Sequence, residues 1–181
     1  QKGYEAQFTS QHEGPFNWVA GVFAFQENND QPTRSDIFTR GGTYYVQQDT
    51  TAWAVYAQGS YDFSDKLTLT LGGRYSSESK DFDVRAVRAN GDLNFTKSMD
   101  KTWTRPDWKV LLDYDFSDNV MGYASVTTGF KSGGYNGRGT TFATITPVDA
   151  ETLTAYEIGV KTTLLDNRVR LNANYYRLDY D

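Results

Sequence analysis

The chain has 181 residues, a net charge of −5 and no cysteine. This excludes disulfides and thiolate metal sites and, with no basic run present, argues against a nucleic-acid surface. Only 38% of the residues are hydrophobic, yet 15% are aromatic. No run of about 18 apolar residues occurs, which excludes a membrane-spanning helix on length. A mean hydropathy of −0.64 still permits a membrane barrel, because only alternate residues of its roughly 9 to 11-residue strands meet lipid. The even composition gives one architectural unit. No cationic-plus-apolar segment opens the chain, so a signal peptide is expected to have been removed or to lie outside it.

Alternation of apolar and polar residues marks the strands. Gly3 to Ser10 reads as extended and is followed by a turn of His12, Glu13, Gly14 and Pro15. Phe16 to Phe25 is the next strand, with Trp18 and Phe23 on opposite faces. Gln26 to Asp49 is polar and rich in turn residues, including Gly41 and Gly42, and is expected to be a long loop. In Thr51 to Phe63 the residues Trp53, Val55, Ala57, Tyr61 and Phe63 oppose Tyr56, Gln58, Ser60 and Asp62. After a short turn, Leu67, Leu69, Leu71 and Tyr75 oppose Thr68, Thr70, Arg74 and Ser76. A second polar loop is expected over Lys80 to Lys101.

Trp108, Val110, Leu112, Tyr114 and Phe116 then alternate with Lys109, Asp113 and Asp115, with Leu111 as an apolar exception on the polar face. Ser117-Asp118-Asn119 turn the chain, Val120 to Phe130 runs back, and Lys131 to Glu151 is a third long loop. Tyr156, Ile158, Val160 and Leu164 oppose Glu157, Lys161 and Thr163. Asp166-Asn167 is the last turn, and Val169, Leu171, Ala173 and Tyr175 oppose Arg170, Asn172 and Asn174.

The repeating form is strand, short turn, strand, long loop. The short turns share Asp, Ser and Asn, whose side chains bond nearby backbone. Eight antiparallel up-and-down strands follow, with all short turns at one end. Aromatics near strand ends (Tyr61, Phe63, Tyr75, Trp103, Trp108, Tyr114, Phe116, Tyr175 and Tyr176) suggest two interfacial girdles. The pattern fits an all-β membrane barrel better than a soluble sandwich or barrel.

Catalytic signals are weak. His12, the single histidine, reads as a solvated turn residue. No serine sits in a nucleophile elbow. Asp62/Asp65 and Asp115/Asp118 fall in the repeated turns, where turn stabilisation is a better account than paired-carboxylate or calcium chemistry. Gly133, Gly134, Gly137 and Gly139 match neither a P-loop nor a dinucleotide fingerprint. Asn94-Phe95-Thr96 matches a glycosylation acceptor, read as an incidental match. No enzyme activity and no cofactor or metal are expected. Alternation points Arg74, Lys131, Glu157, Lys161 and Arg170 into a barrel lumen, since a Lys or Arg facing lipid near the midplane costs roughly 2 to 4 kcal/mol. Hydration of the barrel wall and charge pairing with neighbouring strands account for them better than contact with a filling element or an anionic substrate in the lumen does. Tyr44, Tyr45, Tyr135 and Arg138 fall on expected outer loops, as ligand contacts or as rings packed on one another.

The stretches Tyr123-Ala-Ser-Val-Thr-Thr-Gly-Phe-Lys-Ser-Gly-Gly-Tyr-Asn136 and Glu151-Thr-Leu-Thr-Ala-Tyr-Glu-Ile-Gly-Val-Lys161 resemble barrel strands of TonB-dependent outer-membrane receptors. So do Asn17-Trp-Val-Ala-Gly-Val-Phe23 and Leu69-Thr-Leu-Gly-Gly-Arg-Tyr75. The resemblance extends over most of the chain outside the long loops and looks most like the receptors of sphingomonad- and caulobacter-type bacteria. It implies a Gram-negative outer-membrane location and a plug inside a barrel of about 22 strands. Plug and TonB box are not recognisable, and Leu178 to Asp181 lack a terminal aromatic. Residues 1–181 are thus expected to be one partial barrel unit cut at both ends. The implied partners are outer-membrane lipid, the receptor's own plug, the TonB energy-coupling complex and a small-molecule ligand. That ligand is foremost a ferric siderophore, with haem, cobalamin or an oligosaccharide as further options. A self-contained eight-stranded anchor or adhesin and a soluble carbohydrate-binding β-domain are the alternatives.

Overall fold

The computed structural model describes residues 1–11, 13–35, 42–137, 139, 141–166 and 168–181. The expectations for His12, Gly41, Arg138 and Asn167 lie outside these residues. Eight antiparallel strands form one sheet: β1 (Lys2–Thr9), β2 (Phe16–Ser35), β3 (Gly42–Ser64), β4 (Leu67–Arg88), β5 (Leu93–Ser117), β6 (Val120–Lys131), β9 (Glu151–Leu164) and β10 (Val169–Tyr180). Their order is β1-β2-β3-β4-β5-β6-β9-β10, each strand beside its sequence neighbour in the sheet. Between β6 and β9 a separate two-stranded ladder pairs β7 (Gly134–Tyr135) with β8 (Pro147–Val148), and a single 3₁₀ turn covers Phe142–Thr144. The sheet is an open wall and does not close on itself among the described residues.

The short turns obey the expected chemistry. Ser64 accepts from the Lys66 amide at 3.3 Å and Ser117 from the Asn119 amide at 3.4 Å, so each serine closes its own turn. Both turns carry a bulge in which Phe63 or Phe116 is the extra residue. A bulge adds local twist.

Two of the expected long loops are largely strand among the described residues. Gln26 pairs with Thr51 and the ladder continues without a break to Ser35 opposite Gly42. Ser79 likewise pairs with Thr102, and that ladder continues to Val87 opposite Leu93. Alternation failed to reveal the first extension because residues 26–31 of β2 and 47–51 of β3 are polar on both faces. In the second, Phe82, Val84 and Ala86 alternate with Asp81, Asp83 and Arg85, but on the face opposite to that of Leu67, Leu69 and Leu71. The backbone still pairs, since strand neighbours are its nearest hydrogen-bond partners.

Register divides the sheet into two faces. One carries Trp18, Val22, Trp53, Val55, Leu71, Tyr75, Trp108, Val110, Leu112, Ile158 and Leu171, all solvent-exposed. The other carries Glu5, Tyr56, Arg74, Lys109, Tyr123, Glu157 and Asn174. Trp53 and Tyr75 stand 5.7 Å apart at one margin of the apolar band, while Tyr61 with Phe63 and Tyr114 with Phe116 pair at 4.9 and 5.0 Å at the other. Two expected girdle members belong elsewhere. Trp103 lies on the polar face, buried, and Tyr176 sits on that face opposite Glu157. Phe23 and Phe25 also stack on the polar face, at 6.4 Å, which explains the mixed pattern of β2.

Candidate functional site

All the interior chemistry of the chain lies on the polar face, in two side-chain networks, a groove and an inward-folded loop. In the first network Tyr56 lies across Gly21, its cross-strand partner, where a Cβ would approach the hydroxyl to 2.5 Å. Glycine lets the ring pass flat and reach β1, where the hydroxyl donates to Glu5 Oε1 at 2.7 Å. Arg74 spans the next strands, its guanidinium 5.8 Å from the Phe23 ring centroid and 5.9 Å from that of Tyr56, with Nε donating to Ser76. It forms no ion pair with a carboxylate of the described residues.

The second network repeats the device. Tyr123 lies across Gly159, where a Cβ would come within 2.5 Å of the ring, and donates to Glu157 at 2.6 Å. Asn174 donates to the same Glu157 oxygen at 2.8 Å, and the Lys161 ammonium sits 5.1 Å from the Tyr123 ring centroid.

The described residues of the segment 132–150 fold back over the polar face of β4 and β5. Ile145 is fully buried against Phe82 and Val84, flanked by Tyr44, Val46, Phe95, Met99 and Tyr135. Three lysines of the wall hold the loop. Lys80 donates to Ser132 Oγ at 2.9 Å and to the Gly133 carbonyl at 2.6 Å, and pairs with Glu78 at 3.0 Å. Lys97 donates to the carbonyls of Ile145 (2.6 Å) and Phe142 (3.1 Å). Lys101 faces Asp149 at 3.8 Å. Trp103 lies beneath, with both Lys80 and Lys101 over its ring at 5.7 and 5.2 Å. Desolvation by this packing, with the Asp100 and Asp81 charges adding to it, holds the Tyr135 phenol above its ordinary range.

Below the loop a groove of about 830 Å³ opens between it and the first network. Arg74, Lys80, Lys109 and Lys131 line it against Glu78 and Asp107, so cations exceed carboxylates four to two. Such a groove suits an anionic guest.

The expected site residues separate accordingly. Arg74 and Lys131 share the groove, Lys131 being tied to Glu151 at 3.2 Å at the end of β6. Glu157 and Lys161 belong to the second network, and Arg170 shares with Lys161 a smaller recess at the short-turn end. Tyr44 and Tyr45 are strand residues of β3, not loop residues. Tyr44 faces inward 6.4 Å from Phe95, while Tyr45 points to the other face and is exposed. Tyr135 is half-buried and packs on Phe82 at 5.0 Å. Sequence reasoning missed Glu78, Lys80, Lys97, Lys101 and Trp103, which fell in or beside an expected loop. A signal was present: Lys97, Lys101, Arg105 and Lys109 recur every four residues, which places all four on one face of a strand.

An open antiparallel wall with one exposed aromatic-rimmed apolar face and one polar face is the architecture of outer-membrane β-barrels. A family model described as TonB dependent receptor-like, beta-barrel, matches residues 1–181, and the chain belongs to that family. Among solved structures, the ferric yersiniabactin uptake receptor FyuA from Yersinia pestis is similar at a TM-score of 0.85 and 18% identity, over 96% of this chain and 27% of that one. The closed form of the ferric-catecholate import receptor Fiu from E. coli K12 gives 0.74 and 17%, over 98% and 31%. The alcaligin outer-membrane receptor FauA from Bordetella pertussis gives 0.56 and 14%, over 99% and 32%. The chain thus spans about a third or less of the length of these structures. The family is one of outer-membrane transport receptors, not of enzymes.

Proposed function

We propose that this chain is part of the barrel wall of a Gram-negative outer-membrane receptor that imports a ferric siderophore, driven by TonB acting on a plug within the barrel. Residues 1–181 form one continuous piece of that barrel, with the apolar face on lipid and the polar face on the lumen. The dimensions support this orientation: ten residue steps separate Trp53 from Phe63, about 33 Å along a strand, or about 25 Å of height at a tilt of ~40°.

The observation that carries the ligand reading is the groove at Arg74. Its cations exceed its carboxylates, and Arg74 stacks on two rings without a carboxylate partner among the described residues. A guanidinium so placed suits an anionic chelate, attracting its charge and stacking on the flat aryl or hydroxamate groups at its surface. Likeness to receptors of three different ferric siderophores is consistent with such cargo. Arg74, Lys109 and Lys131 are assigned to ligand or plug contact; Glu157, Lys161 and Arg170 serve the lumen wall.

The test is uptake of radioactive iron by cells carrying the full-length receptor as their sole outer-membrane iron route, supplied with catecholate, hydroxamate and mixed chelates in turn. One chelate is expected to be imported, only with TonB present, and Arg74→Ala is expected to raise its half-saturating concentration about tenfold. Haem or cobalamin imported in place of every ferric chelate would defeat the assignment.

A further inference from the structure

The loop over residues 132–150 is joined to the wall in an unusual way. Its polar links come mainly from ammonium donors on the strands, and it answers them with carbonyl oxygens, a hydroxyl and one exposed carboxylate. Lys80 and Lys101 stand directly opposite one another on β4 and β5. Like charges at such a position repel. Both ammoniums lie over Trp103, which is only 7% exposed and whose indole N–H has no acceptor among the described residues. Lys80 is satisfied by Ser132, Gly133 and the wall carboxylate Glu78, and Lys101 is part-exposed beside Asp149, so the donor this centre leaves unmet is the buried Trp103 indole N–H, held between two ammoniums. A buried donor left without an acceptor is costly.

We propose that this centre is an anion site which the loop occupies in place of ligand, the Gly133 carbonyl and Asp149 carboxylate standing where the acceptors of an entering anion would bind. The proposal rests on the polar face being the ligand route and adds an order of events to it. An anion arriving from the long-hairpin end displaces the loop from Lys80 and Lys101, then reaches the groove at Arg74. The loop is an internal competitor, and its release accompanies binding. A closing lid would do the opposite and become more ordered on the ligand.

Inorganic triphosphate, which carries several acceptors and no iron, is the probe, and the full-length receptor in nanodiscs is the protein. Amide exchange of 134–148 is expected to rise at least fivefold on saturation with triphosphate. Ile145→Asp, which frees the loop without touching either lysine, is expected to bind triphosphate about tenfold more tightly than wild type, because the fraction of open sites rises. Adding Lys101→Met to that variant is expected to remove the gain. Heat-modifiable migration of each variant verifies that the barrel is intact. Equal triphosphate affinity in wild type and Ile145→Asp overturns the proposal, as does lowered exchange of 134–148 on binding or no binding to either protein. Because the probe carries no iron, these outcomes are read separately from the siderophore assignment.

Discussion

Replacing Ile145 by alanine isolates what fixes the loop to the wall. Ile145 is 0% exposed and sits on Phe82 and Val84, each 2% exposed. Truncating a fully buried isoleucine to alanine removes its transfer free energy and leaves a cavity, together about 3 kcal/mol within a range of roughly 2 to 5. The loop makes this contact and the barrel ladder does not, so the loss falls on local opening. At 1.4 kcal/mol per decade the open population rises roughly a hundredfold. Hydrogen exchange reads it at the Asn136 amide, which donates to the Thr146 carbonyl at 2.9 Å, and across the pair Gly134 and Val148. Ile145→Val, at about 1 kcal/mol, should give roughly fivefold. The ladder between Val110 and Val126 serves as the internal reference. A rise below about fivefold for alanine, or an equal rise in that reference ladder, would show that the loop is not an independently opening unit.

Three further outcomes follow from the same geometry. Val110→Arg, on the exposed apolar face, is expected to destabilise the receptor folded in vesicles by about 2 to 4 kcal/mol, whereas Leu111→Arg on the polar face should cost far less; equal costs would refute the assignment of faces. Gly133→Ala would place a Cβ 2.3 Å from the Val148 carbonyl oxygen and 2.7 Å from the Trp103 ring, so the loop base should lift and Trp103 emission shift to the red; an unchanged spectrum would contradict this. Tyr135 docks as the neutral phenol with its pKa held above the ordinary 10.0, so its contribution is complete below that value and lost as pH rises through the raised one. Absorbance titration should show one late-titrating tyrosine fewer in Tyr135→Phe than in wild type, and loop protection should fall over the same alkaline interval.

The eight strands, their order and the short turns were legible because lipid and lumen impose opposite demands on alternate residues wherever the wall crosses the bilayer. Leu67, Leu69, Leu71 and Tyr75 against Thr68, Thr70 and Arg74 is such a record. Arg74, Glu157 and Lys161 were placed on the polar face from that contrast alone. The extensions of β2 and β3 were not legible, because Gln26, Asn28 and Asp30 meet water on one face while Gln47 and Gln48 lie on opposite faces of β3 and are equally polar. In β4 Phe82, Val84 and Ala86 do alternate with Asp81, Asp83 and Arg85, but with the faces exchanged relative to Leu67 to Tyr75, and in β5 Lys97 and Lys101 share a face with Met99 and Trp103. The loop clasp was hidden for a different reason. Lys80 and Gly133 meet across 53 positions of sequence, and their contact depends on the whole of β5 and β6 being in register.

One strand records where these regimes meet. On β4 the residues facing the groove run Arg74, Ser76, Glu78 and Lys80, then change to Phe82, Val84 and Ala86, all three buried. The opposite face runs Leu67, Leu69, Leu71 and Tyr75, then changes to Ser77, Ser79, Asp81 and Asp83. No register shift separates the two halves, since the ladder with β5 is continuous from Leu67 to Ala86. The alternation has inverted within an unbroken strand. Strand β5 does the same, Trp108, Val110 and Leu112 giving way on their face to Thr104, Thr102 and Asp100 while Trp103 and Met99 turn inward. Backbone geometry cannot cause this; a change of solvent can. Where lipid ends the outer face must become polar, and where the loop folds in the inner face must become apolar. On the proposed orientation, with the apolar face on lipid, the row through Trp53, Ser77 and Thr104 would mark the outer edge of the bilayer, with Lys80, Lys97, Lys101 and the loop contacts they make beyond it. An anion that releases the loop as proposed would do so in water, before any step inside the barrel.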